Sequence, residues 1–68
     1  MSLLDLGNRI RELRKQLGIS QEDFALSIDM DRSYLAGVEA GKRNISFKNL
    51  SKILRGLGVS FTTFFEGY

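Results

Sequence analysis

The 68-residue sequence predicts an all-α fold of five short helices, and three observations point there. Apolar residues recur at spacings of three and four along most of the chain, Pro is absent, and no Asn-Gly or Asp-Gly pair marks a hairpin turn. A chain of this length bounds the molecule to a single domain over residues 1–68, because domains run to roughly 50–200 residues. With neither Cys nor His, neither disulfides nor the usual zinc ligands hold the fold together, and helix packing must do so alone.

The elements follow in order. Leu6, Ile10, Leu13 and Leu17 form the apolar stripe of a first helix, which Gly18 ends. Ser20 caps a second segment whose first turn carries Gln21, Glu22 and Asp23, where the helix dipole favours acids, and whose inner residues are Phe24, Ala25 and Ile28. Asp29 and Met30 interrupt the pattern. Asp31 then caps a third helix over Arg32 to Ala40, with Leu35 and Val38 inward and Gly41 as its stop. A polar connection from Lys42 to Ile45 leads to Ser46, the cap of a fourth helix with Leu50, Ile53, Leu54 and Leu57 inside and Gly56 and Gly58 at its end. Ser60 caps a last helix, expected over residues 60–66 and dense in aromatics at Phe61, Phe64 and Phe65.

The net charge of +2 is mild, but its distribution is uneven. From Gly41 to Phe65 the chain carries Lys42, Arg43, Lys48, Lys52 and Arg55 with no acid, so this half is a candidate phosphate-facing surface; a solvated helix face is the plainer explanation of the same charges. Enzymatic chemistry is not expected, since no His or Cys serves as base or nucleophile and helix capping accounts for most of the acids. Asp29, Asp31 and Ser33 imitate the opening of a calcium loop, yet Tyr34 replaces the needed Gly and Ala40 the closing Glu, so no metal site is assigned. Gly56-x-Gly58 lacks the preceding strand of a dinucleotide fingerprint, and no cofactor or small-molecule effector is implied. No apolar run approaches the roughly 18 residues of a membrane span and no leader is evident, so a cytoplasmic protein without membrane contact is expected.

The informative feature is the pair of short helices separated by a few residues, a helix-turn-helix over 21–39. Phe24, Ile28, Met30, Leu35 and Val38 are spaced to share one small core, and Ala25 is small where the helices must approach. Asp29 tolerates the left-handed conformation such a turn needs, at more cost than Gly. Arg14, the run Leu17-Gly18-Ile19-Ser20-Gln21-Glu22-Asp23-Phe24-Ala25 and the run from Tyr34 to Arg43 resemble the Xre family of phage-repressor and Cro-like proteins, from Ile10 to Phe65. The stretch Asp31 to Glu39, then Lys42-Arg43-Asn44 and the ending Val59 to Glu66, looks most like the controller proteins of restriction–modification systems.

That resemblance implies a lambda-repressor-like domain binding double-stranded DNA as a transcriptional regulator, and it distributes roles among the residues. Arg32 is the main base reader, its forked guanidinium matching the two acceptors of a guanine edge. Ser33, Ala36 and Gly37 stand beside it, Gly37 either admitting close approach to DNA or being a neutral exposed glycine. Gln21, Lys42, Arg43, Asn44, the Ser46 end of the fourth helix and Lys48 are the phosphate contacts, helix N-termini being anion sites. Tyr34 bonds a phosphate or packs over the turn. Arg14 and Glu39 make a structural ion pair.

Phe61, Phe64, Phe65 and Tyr68 are too many aromatics for so small a core to hide, so the last helix is the expected homodimer surface, with Phe61 and Phe64 closing the monomer core as the competing possibility. A twofold dimer would set its recognition helices about 34 Å apart on a near-palindromic operator. The rival expectation is an antitoxin-like protein-interaction module of a toxin–antitoxin pair, since Xre-like domains also occur there.

Overall fold

A computed structural model of the chain describes residues 1–67 and contains five helices in the order α1 (Leu3–Gln16), α2 (Gln21–Ser27), α3 (Arg32–Glu39), α4 (Phe47–Leu57) and α5 (Phe61–Phe64). Every helix starts on a side-chain cap. Ser2, Ser20, Asp31, Ser46 and Ser60 each adopt extended backbone and accept the amide N–H three residues on, at 3.0–3.2 Å. Each such cap satisfies a donor that the helix leaves free and stabilises by about 1 kcal/mol. Ser2 has no role in the sequence reading, yet Asp5 returns the bond to the Ser2 amide and closes a capping box.

The core draws on all five helices: Leu6 and Ile10 of α1, Phe24 and Ala25 of α2, Leu35 and Val38 of α3, Ile53, Leu54 and Leu57 of α4, and Phe64 of α5. Ala25 is buried where α2 packs on α3, and α1 packs against both α3 and α4. The α2–α3 turn has the expected form. Asp29 is left-handed at φ 53°, and the Met30 amide donates back to the Ala25 carbonyl at 2.9 Å, turning the chain steeply in four residues. From α4, Lys52 Nζ donates to the Asp29 carbonyl at 2.9 Å and braces that turn from outside.

Four expectations are corrected. Leu17 caps α1 and is exposed, because the helix ends at Gln16 and Arg14 takes the last inward position. Gly56 lies inside α4, and only Gly58, left-handed at φ 75°, closes it; a side chain at Gly56 would run into Ile28 and the Phe24 ring. The last helix is a single turn shorter than residues 60–66. Phe64, expected on the dimer surface with closure of the monomer core as the competing possibility, has no exposure at all, since α5 inserts it among the other core side chains.

Candidate nucleic-acid interface

The outer face of α3 is open at its start. Arg32 is the first helical residue, its side chain 62% exposed, and among the described residues its one charged partner is Glu22, 3.8 Å away and 74% exposed. An exposed pair of this kind is worth about 0–1 kcal/mol, so little holds the guanidinium back from another acceptor. Ser33, also exposed, donates its hydroxyl hydrogen to the Asp31 carboxylate, which also receives the Tyr34 amide. Those two donors, with the nearby Arg43 charge adding less, hold the Asp31 carboxyl below the usual aspartate range. Ser33 therefore offers a groove chiefly its lone pairs. Ala36, one turn further along, is half-buried.

Gln21 and Ala36 border one shallow groove of about 330 Å³ where α1, α2 and α3 meet, with Arg11, Lys15 and Ala40 on the same rim. The sequence reading missed Arg11 and Lys15; their spacing of four residues on α1 is the signal that was available. Gln21 Nε2 donates to Glu39 Oε1 at 3.2 Å, which occupies one of its two amide hydrogens and leaves the other. Behind it, Arg14 reaches Glu39 through Nε to Oε2 at 2.8 Å and Nη2 to Oε1 at 3.0 Å, and its Nη1 donates to the Ile19 carbonyl at 2.7 Å. This buried pair, with Gln21, fastens α1, the α1–α2 connection, α2 and α3 together.

The α3–α4 loop holds Lys42, Arg43 and Asn44, all exposed, and Lys48 is exposed in the first turn of α4 beside the Ser46 cap. Tyr34 is not free for a phosphate here. Its hydroxyl donates to the Asn44 carbonyl at 3.5 Å and accepts from Asn49 Nδ2 at 3.2 Å, and Arg43 lies 4.9 Å over its ring. Gly37 is half-buried, and what approaches it is the Arg43 stem: a Cβ there would collide with Arg43 Cγ, with Cδ and Cβ of that residue at 3.4 and 3.5 Å.

A separate aromatic row lies at the α4–α5 corner. Phe47, 74% exposed, stacks on Phe61 at 5.1 Å between ring centroids, and Phe61 faces Phe65 at 6.4 Å; both are half-buried, and Phe65 meets buried Phe64 edge-on at 5.0 Å. The sequence reading placed Phe61 and Phe65 here but not Phe47. Tyr68, named with them, lies outside the described residues. Among the described residues no cluster of potential metal ligands occurs, and no helix is long and apolar enough to cross a membrane.

Two short helices joined by a tight turn, the second with its first turn exposed beside a basic loop, define a helix-turn-helix domain. Residues 10–64 match the helix-turn-helix family model, and the chain belongs to that family. Its relatives include control proteins. Control protein C.MunI from Mycoplasma sp is 48% identical over 61 residues, covering 88% of this chain and 82% of that protein. The structure superposes on the restriction–modification controller protein C.AhdI from Aeromonas hydrophila with a TM-score of 0.87 at 43% identity, over 93% of this chain and 96% of that one. The controller protein C.Esp1396I, solved as a tetramer on its natural 35 base-pair operator, gives 0.87 at 39% identity, over 94% and 84%. The all-α fold and the similarity to restriction–modification controllers expected from the sequence are both borne out.

Proposed function

We propose that the chain is a sequence-specific transcriptional regulator of the restriction–modification controller type, which binds a near-palindromic operator as a homodimer in the cytoplasm and acts by occupying promoter DNA. The observation that carries this is the exposed first turn of α3, where Arg32 projects with a single weak partner among the described residues. Arg32 reads a guanine edge; Ser33 and Ala36 add a hydroxyl acceptor and an apolar contact. Lys42, Arg43, Asn44, Lys48, the Ser46 end of α4 and the remaining Gln21 amide hydrogen hold phosphates, joined by Arg11 and Lys15 at the groove rim. Phe47, Phe61 and Phe65 form the dimer surface, since a stacked row with one ring three-quarters exposed is costly to leave in water. Relatives at 39–48% identity that are control proteins, one of them solved on operator DNA, support the same reading.

Selection from random duplexes tests it, with a palindromic consensus as the expected result. Anisotropy on the selected duplex should weaken steeply with salt through counterion release. Arg32→Ala should cost about 1–3 kcal/mol on that duplex and much less on random DNA. Equal losses on both would remove Arg32 as the reader, and a purely monomeric chain at high micromolar concentration would remove the dimer.

A further inference from the structure

Arg43 sits in a connection between helices, where a long side chain ordinarily samples many rotamers and loses that freedom on binding. Two contacts reduce the freedom in advance. Its aliphatic stem lies on bare backbone at Gly37, where any Cβ would collide with Cγ. Its guanidinium stands 4.9 Å over the Tyr34 ring, within the range of a cation–π contact. The Tyr34 ring is fixed in turn, because Asn49 Nδ2 donates to its hydroxyl at 3.2 Å, and the Asn49 backbone N–H donates to the Ser46 cap hydroxyl at 3.1 Å.

Gly37 and Asn49 hold this arrangement from opposite sides. Glycine inside a helix costs stability relative to Ala, and the space it leaves is filled by Arg43 rather than left open to solvent. Asn49 links α3 to α4 through the Tyr34 hydroxyl, so the ring that carries Arg43 cannot swing away without breaking a bond to α4.

We propose that Gly37 and Asn49 are positioning residues that, with the Tyr34 ring as the platform, preset Arg43 for DNA, so that the arginine reaches one fixed contact instead of roaming over neighbouring phosphates. This rests on the DNA-binding reading above. It also reassigns Gly37 from a surface that touches DNA to a seat beneath the residue that does.

The test compares wild type, Gly37→Ala, Asn49→Ala, Arg43→Ala and the Gly37→Ala/Arg43→Ala pair, in the free protein by NMR and on the selected duplex by anisotropy. In free protein, Arg43 side-chain resonances should be ring-shifted by Tyr34 in wild type and move toward unstructured values in Gly37→Ala and Asn49→Ala. On the duplex, Gly37→Ala should weaken binding by about tenfold, the size of one arginine contact. The pair should be no weaker than Arg43→Ala alone, because the glycine acts only through the arginine. A merely structural Gly37 would instead give additive losses. Arg43 shifts unchanged in both single variants, or additive losses in the pair, overturn the proposal. Asn49→Ala leaves the α3 backbone untouched and carries the NMR test independently of how Gly37→Ala folds. Wild-type protein that ignores the duplex overturns the DNA-binding reading and this proposal with it, whereas wild-type binding with additive losses overturns the proposal alone.

Discussion

Removing Glu39 should strand a buried arginine. The side chains of Arg14 and Glu39 are 8% and 3% exposed, and two of the three hydrogen bonds that Arg14 makes end on the Glu39 carboxylate. In Glu39→Ala the guanidinium keeps only the Ile19 carbonyl, and its Nε and Nη2 hydrogens face a site with little water. Leaving one member of a buried pair uncompensated costs about 3–5 kcal/mol. A core of this size supplies roughly 3–5 kcal/mol in total. The variant should therefore be largely or half unfolded at 25 °C, with urea titration by far-UV circular dichroism giving a midpoint near zero denaturant. Arg14→Met combined with Glu39→Leu should recover to within about 1 kcal/mol of wild type, since apolar groups of similar volume replace a buried pair at little cost. A loss below about 1 kcal/mol for Glu39→Ala, the value of an exposed pair, would refute the reasoning.

Further outcomes concern packing, pH and assembly. At Gly7 an added Cβ would lie 2.6 Å from the Glu39 carbonyl oxygen and closer still to that of Val38, so Gly7→Ala should lower stability by about 1–3 kcal/mol in thermal melts despite its better helix propensity. The Asp31 carboxyl is held below its usual value of 3.8 by the Ser33 hydroxyl and then the Tyr34 amide, so its capping contribution is full above that value and is lost as pH falls through the lower folded one. The Tyr34 amide should lose protection in acid, and Asp31→Asn, which still caps, should abolish that pH dependence while preserving α3. Phe47→Ser should raise the dimer dissociation constant at least about tenfold by sedimentation while leaving the melting temperature of the monomer nearly unchanged, because a ring this exposed contributes little to the core.

Part of the candidate site was legible in the sequence for a local reason. Arg32 follows an N-cap, and a residue at the first position of a short helix projects from its end whatever the rest of the fold does. The positions of Lys42 and Asn44 follow similarly from a polar connection between two caps. Gln21, Tyr34 and Gly37 were named as candidates too, yet their surroundings were not legible: the Gln21 amide is spent partly on Glu39, the Tyr34 hydroxyl on Asn44 and Asn49, and the space at Gly37 on Arg43. Each of those partners lies 6 to 18 residues away, beyond the reach of any helical periodicity. Arg11 and Lys15 joined the groove only because α1 packs across α3.

The sequence by itself determined the helices, their capping residues at Ser20, Asp31, Ser46 and Ser60, and the left-handed Asp29 turn, because each depends on interactions within about one helical turn. Tertiary structure alone decided which aromatic is inside. Phe61, Phe64 and Phe65 have the same transfer free energy, and spacing on and just beyond a one-turn helix cannot rank them. The fold places Phe64 wholly within the core and sets Phe61 against the exposed Phe47 ring, and so fixes both the limit of the core and the aromatic row left outside it.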